Sequence, residues 1–340
     1  MRLIPQGTGL RASPNLGIVN HGALGDVIVW RQHEFHAWWN EFEQMFEHPL
    51  SRMFVNAILD SLEFKQILKP PRGMFGKKRF NSELTQLCSS LGWGEVAIDE
   101  RSVAHGVHPL LSVAFCQYVV ETYDQQRYKV RWTEPYPQAV QLEMEETASV
   151  PSPKPSNHFP WSQNKENINF KTPSIEIEQH SHFDLRLEGE RVLIVPIDAF
   201  DRFFSSCLPY TPNSHQDWFN YDGKHDATIS TLLATIVKSI AAMFLQTEQP
   251  VYIIDEASWE AYIHHYLVER GWGKASEIDY DESTCELNAS LVADKNLPFT
   301  LGMLCGIWER AHGRTCRVEL QQKNEIFFVK IQSLLHYQNN

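Results

Sequence analysis

Two stretches, Leu50–Leu62 (LSRMFVNAILDSL) and Ile229–Ala241 (ISTLLATIVKSIA), read as the same apolar helix. Each precedes a segment that stops at Gly-Trp-Gly, at Gly92-Trp93-Gly94 in one case and Gly271-Trp272-Gly273 in the other. The offset of 179 (271 − 92) also carries Pro71 onto Pro250 and needs no gap between the helices and the glycines. Upstream, Val27-Ile28-Val29 followed by Phe35, Trp38 and Trp39 is answered by Val192-Leu193-Ile194 followed by Phe200, Phe203 and Phe204, at 165 (192 − 27). Downstream, Glu121 and Val130 are answered by Glu309 and Val318, at 188 (309 − 121). Offsets that change only where loops or hairpin tips fall are the mark of one unit written twice.

A chain of 340 residues with 43% hydrophobic and 12% aromatic content has the length and apolar surface for two modest cores. Between them, residues 149–180 scatter Pro151, Pro153, Pro155, Pro160 and Pro173 among Ser, Asn, Lys and Glu. That composition predicts a disordered linker, so the expected plan is a first domain over 1–148, the linker, and a second domain over 181–340.

Within the first copy, strands are expected near 17–20 and 26–30, and helices near 33–46, 50–65 and 80–91. Leu84, Leu87, Cys88 and Leu91 recur at helical spacing and Gly92 supplies a stop. A hairpin, a helix over 109–123 and two closing strands complete the unit. The class is α+β: two similar domains, each a mainly antiparallel sheet with helices on one face, free to meet as an intramolecular pseudo-dimer.

The second copy contains Asn288-Ala289-Ser290 and then LPFTLGMLCGIWERAHGRTCRVEL from Leu297 to Leu320. Gly302, Gly306, Glu309, Gly313, Val318 and Glu319 in this run resemble the pattern of the four-vinyl-reductase domain family, which is similar in fold to subunits of vesicle-tethering complexes. The resemblance covers 255–332 well and 80–147 faintly. It implies a small-molecule-binding or protein-assembly module, without establishing a reductase. Many members of that family hold zinc through cysteines in the closing hairpin, but residues 319–328 here contain none.

Gly302 and Gly306, four apart on one helix, leave a smooth stripe. Close helix packing is the plain reading. The alternative is a groove for a small apolar ligand or a partner protein, walled by Met303 and Trp308 and, in the first copy, by Phe115 and Tyr118. The insertion from Ser205 to Ala227 offers Tyr210, Trp218, Phe219 and Tyr221 as an interaction loop or as packing over the core.

Other constellations are weak. His33 and His36 have metal-ligand spacing but no third ligand, and adjacent His264 and His265 point to different helix faces. The Gly-x-Gly pairs follow helices, where a dinucleotide fingerprint follows a strand. Hydrolase, metalloprotease and P-loop patterns are absent. No catalytic residue, metal or cofactor is expected.

A net charge of -12 gives no footprint for nucleic acid. Six cysteines without regular spacing argue against zinc ribbons and disulfides. No run reaches the roughly 18 uninterrupted apolar residues of a membrane span, and a cytoplasmic protein is expected. The leading expectation is a binding or assembly scaffold. A ligand-sensing regulator and an enzyme with an unrecognised site are the alternatives.

Overall fold

Val27-Ile28-Val29-Trp30 and Val192-Leu193-Ile194-Val195 are apolar without alternation, which suits strands covered on both faces. In the computed structural model these two strands lie side by side. The structure describes residues 9–147, 152–156, 158–163, 168–212, 217–223, 226–247 and 249–335.

The first half runs β1 (Leu10–Ser13), β2 (Ile18–His21), β3 (Gly25–Arg31), α1 (Gln32–Gln44), α2 (Ser51–Lys65) and α3 (Gly76–Leu91). It continues with β4 (Glu95–Ala97), β5 (Ser102–Ala104), α4 (Pro109–Asp124), β6 (Tyr128–Thr133) and β7 (Val140–Glu146). The second half follows the same order: β8 (Glu178–Ser181), β9 (Asp184–Leu187), β10 (Glu190–Pro196) and α5 (Ile197–Cys207). After an inserted strand β11 (Phe219–Asp222) come α6 (Ala227–Gln246), α7 (Glu256–Tyr266), β12 (Ala275–Asp281) and β13 (Glu286–Val292). Helix α8 (Leu297–His312) and strands β14 (Cys316–Lys323) and β15 (Ile326–Ser333) close it.

The fold is α+β, with helices against mainly antiparallel sheets; among the described residues only the β11–β14 pairing is parallel. The sheets are not divided as the sequence suggested. One six-stranded sheet, β1-β2-β3-β10-β9-β8, takes three strands from each half, while β4-β5-β7-β6 and β11-β14-β15-β13-β12 belong to one half each. The core is likewise continuous across the expected domain boundary. Separate cores for 1–148 and 181–340 are therefore corrected: β3 and β10, buried on both faces, find their covering strand and helices in the opposite half.

The Gly-Trp-Gly turns explain how the halves lock. Val29 and Ile194 face each other in the β3–β10 register. The Trp272 indole donates to the Val29 carbonyl at 3.0 Å, and the Trp93 indole donates to the Ile194 carbonyl at 3.0 Å. Each tryptophan thus satisfies the central strand of the other half. Its own carbonyl is held from within its half, by the Thr300 hydroxyl for Trp272 and the Ser112 hydroxyl for Trp93. Gly92 and Gly271 have φ of +72° and +77°, and a Cβ on them would lie 2.7 Å from the Val192 carbonyl oxygen and 2.5 Å from that of Val27. Only glycine meets both demands.

Helices cross over too. α2 packs on α4 of its own half and α5 of the other, and α6 packs on α8 and on α1. Trp30, Trp38, Phe54, Phe200, Phe203, Trp272 and Phe299 interleave where they meet, with Trp30 and Trp272 ring centres 4.3 Å apart. α6 is long and apolar enough to cross a membrane by length and composition, yet 61% of that window is buried within the protein.

A continuous core predicts a single cooperative unfolding transition in guanidinium, with no plateau between halves. Trp93→Phe and Trp272→Phe keep the ring but strand a buried carbonyl, and each is expected to cost about 1–3 kcal/mol. Two resolved transitions would contradict the shared core.

Candidate functional site

The groove expected along the glycine stripe is closed. A Cβ on Gly302 would lie 2.5 Å from Ile240 Cβ, and one on Gly306 would lie 2.8 Å from Phe244 Cβ and 3.2 Å from Ala241 Cα. α6 fills the stripe, and Met303, Trp308, Phe115 and Tyr118 are all buried. The Trp308 indole donates to the Cys285 carbonyl at 2.7 Å, and Phe115 stands edge-on to Trp93. The ligand-groove expectation is corrected: small residues here serve close helix contact.

The expected interaction loop is also largely absorbed. Phe219 and Tyr221 point inward from β11 and alternate with exposed Asn220 and Asp222 at strand period. The Tyr221 hydroxyl donates to Gln322 Oε1 at 2.9 Å, Trp218 packs on the core, and Tyr210 stacks on His48 with ring centres 3.9 Å apart. Residues 213–216, 224 and 225 of that insertion lie outside the described residues.

The described part of 149–180 is not a free linker. Trp161 is fully buried and stacks on Phe159, and Lys171 bridges to Ala12 through two backbone hydrogen bonds. Two large aromatics outweigh the proline-rich average of the segment. Arg202 Nη1 donates to the Lys154 carbonyl at 2.7 Å, and the Ser162 hydroxyl lies 3.3 Å from Asp201 Oδ1.

Beneath this strap sits a cluster of charges from both halves. Lys65 Nζ lies 4.0 Å from Asp198 Oδ2, which also accepts from Arg202 Nε at 2.9 Å, and Lys295 Nζ lies 3.3 Å from Asp201 Oδ2. Burial pushes Asp201 up to about 7 despite Lys295. Burial acts on Asp198 in the same direction, but Lys65 and Arg202 outweigh it and hold that carboxyl below its usual range. Lys65 is lowered by burial, which Asp198 opposes. A second cross-half pair, Arg270 Nη1 to Glu34 Oε2 at 2.7 Å, is 2% exposed on both sides.

The histidines are engaged separately. His33 Nδ1 is 3.2 Å from Glu190, and His36 Nε2 is 3.1 Å from the Val107 carbonyl. His264 and His265, despite their different faces, each lie 3.6 Å from Glu269. His21, lowered to about 4 by burial, accepts from the Leu24 and Ala23 amides. Among the described residues no group of three His, Cys, Asp or Glu could hold a metal, and all six cysteines are free thiols.

Single apolar side chains are exposed elsewhere, Tyr136 and Leu335 among them, but two apolar side chains stand together in each of a pair of equivalent loops, after α2 and after α6, matched by Pro71 and Pro250. The first displays Met74 and Phe75, 88% and 66% exposed; the second displays Tyr252 and Ile254, 77% and 67% exposed. Both are built rather than loose. The Leu68 amide donates to the Tyr118 hydroxyl at 2.9 Å, Pro70 and Pro71 stiffen the approach, and the Gly76 amide donates to the Gly73 carbonyl at 3.0 Å to close the tip. In the second loop the Tyr252 amide donates to the Tyr262 hydroxyl at 3.0 Å.

Their borders carry opposite charge. Lys69, Arg72, Lys77, Lys78 and Arg79 surround the first tip, all exposed, and no acid interrupts residues 64–82. The second is followed by Asp255, which caps α7 by accepting from the Ser258 amide at 2.8 Å, and by Glu256. Hydrogen bonds from Ser258 hold the Asp255 carboxyl below its usual value.

No family model, no curated protein and no solved structure matches this chain. The two loops, absent from the expected site residues, had one signal in the sequence: five cations in eleven residues of an otherwise acidic chain.

Two consequences are measurable. Alanine at Gly302 or Gly306 gains at most about 1 kcal/mol of helix propensity, less than the roughly 1–3 kcal/mol of overpacking it forces. Each variant should therefore unfold at lower denaturant, and unchanged midpoints would mean the stripe is not sealed. Because the folded-state value of Asp201 is raised above its unfolded one, its contribution is full below about pH 4 and is lost as pH rises through about 7. Between pH 6.5 and 8.5 this predicts a loss of about 1 kcal/mol, which Asp201→Asn removes; an equal loss in the variant assigns the slope elsewhere.

Proposed function

We propose that this chain is a non-catalytic assembly module, built on a tandem four-vinyl-reductase-like plan, that joins two different partners through the equivalent loops after α2 and α6. The observation that carries this reading is the pair of exposed apolar tips, Met74 with Phe75 and Tyr252 with Ile254, bordered by opposite charge. Exposed apolar groups rimmed by polar ones are characteristic of contact surfaces.

Two further observations support assembly over catalysis or ligand carriage. The stripe that would have held a flat ligand is occupied by α6. The buried carboxylates Asp198 and Asp201 are engaged by Lys65, Arg202 and Lys295 beneath the strap that carries Lys154 and Ser162. The acidic loop suits a partner protein that brings a basic, apolar segment, with Tyr252 as the aromatic anchor.

Photo-crosslinking from position 254 in the native cell, followed by titration of the captured protein in pure form, tests this. Tyr252→Ser combined with Ile254→Ser should weaken that binding at least about tenfold, the loss of one hot-spot contact, without changing the melting temperature. The reading falls if every captured protein binds the variant as tightly as the parent. It also falls if native mass spectrometry finds a stoichiometric small molecule above the 39.3 kDa chain.

A further inference from the structure

We propose that the loop between α2 and α3 docks on an anionic lipid surface, with Met74 and Phe75 entering the interfacial region and the five surrounding cations facing the headgroups. The proposal rests on reading this loop as one of two docking points, and it names the partner.

Three features of the loop favour a bilayer over a soluble polyanion. It exposes two apolar side chains, Met74 at 88% and Phe75 at 66%, and they occupy adjacent positions at the tip of a closed turn. A polyanion would gain nothing from them, whereas an interface accepts both a methionine and an aromatic ring. Gly73 permits that turn at φ +70°, and the Gly76 amide's bond to the Gly73 carbonyl and the close approach of Gly76 to the Pro71 backbone hold it.

The charge pattern points the same way. Lys77, Lys78 and Arg79 stand in the first turn of α3, where no acid is present and no side chain caps the helix. Cations there oppose the helix dipole, and a layer of negative headgroups relieves this. Among the described residues none of Lys69, Arg72, Lys77, Lys78 and Arg79 lies in an ion pair; Lys77 rests over the Tyr123 ring at 5.5 Å. The net charge of -12 does not cancel the attraction, because fields are screened beyond about 8 Å at physiological ionic strength.

Vesicle co-sedimentation tests the proposal, with phosphatidylcholine alone and with phosphatidylserine mixed in. The full chain should bind only the anionic vesicles, and Lys77→Gln and Lys78→Gln should each lower partitioning about fivefold. Met74→Ser with Phe75→Ser, both at exposed positions, should abolish binding with an unchanged melting temperature, while Tyr252→Ser with Ile254→Ser should leave it intact. Equal binding to neutral vesicles, or full binding by the Met74/Phe75 variant, overturns the proposal; the latter would reduce the loop to a polyanion contact. Loss of vesicle binding alone, with partner capture at position 254 preserved, defeats this inference and leaves the two-partner reading standing. Loss of both defeats the reading itself.

Discussion

The pairing of β3 with β10 is the constraint from which the rest of the molecule follows. Each strand is apolar on both faces and could not stand at the edge of a small sheet without exposing a long hydrophobic ribbon. Set side by side they cover one another's edges, and the indoles of Trp93 and Trp272 then satisfy the facing carbonyls of Ile194 and Val29. A buried carbonyl left without a donor costs about as much as the bond is worth or more. The Gly-Trp-Gly turn of each half is thus a fitting for the other half, which is why the same three residues recur.

Apolar contact supplies the energy of that union, and charge fixes its geometry. Arg270 with Glu34, Lys65 with Asp198, and Arg31 with Glu188 all join groups from opposite halves. Buried or half-buried pairs of this kind offset their own desolvation with little to spare. Their value lies in penalising every register that would leave one member alone. Lys154 and Ser162, on the stretch between the halves, bond to Arg202 and Asp201 of the same charge cluster.

The repeat was legible because it lies in local pattern: helix spacing, the glycines after Leu91 and Arg270, and the glutamates that end α4 and α8. Glu121 and Glu309 each accept from the backbone amide seven residues on, at Tyr128 and Cys316. Which half completes which sheet was not legible, since an apolar strand reads identically whichever neighbour covers it. Phe159 and Trp161 were hidden by averaging over a proline-rich window, and the basic α2–α3 loop was hidden by a net charge taken over the whole chain. The glycine stripe was visible, but a sequence does not say whether such a stripe faces a helix or a ligand; Ile240 and Phe244 decide it.

A two-fold body made from two separate copies must display identical loops at its equivalent positions, and a change that suits one partner is imposed on both. Carrying both halves on one chain removes that tie. Residues whose interlocking is reciprocal, such as the two tryptophans and their glycines, stay alike because each serves the other half. Loops that touch neither half deeply are released, and it is there that Lys77, Lys78 and Arg79 stand in one copy while Asp255 and Glu256 stand in the other. The shared core holds symmetry where packing demands it, and the surface departs from symmetry at these two loops.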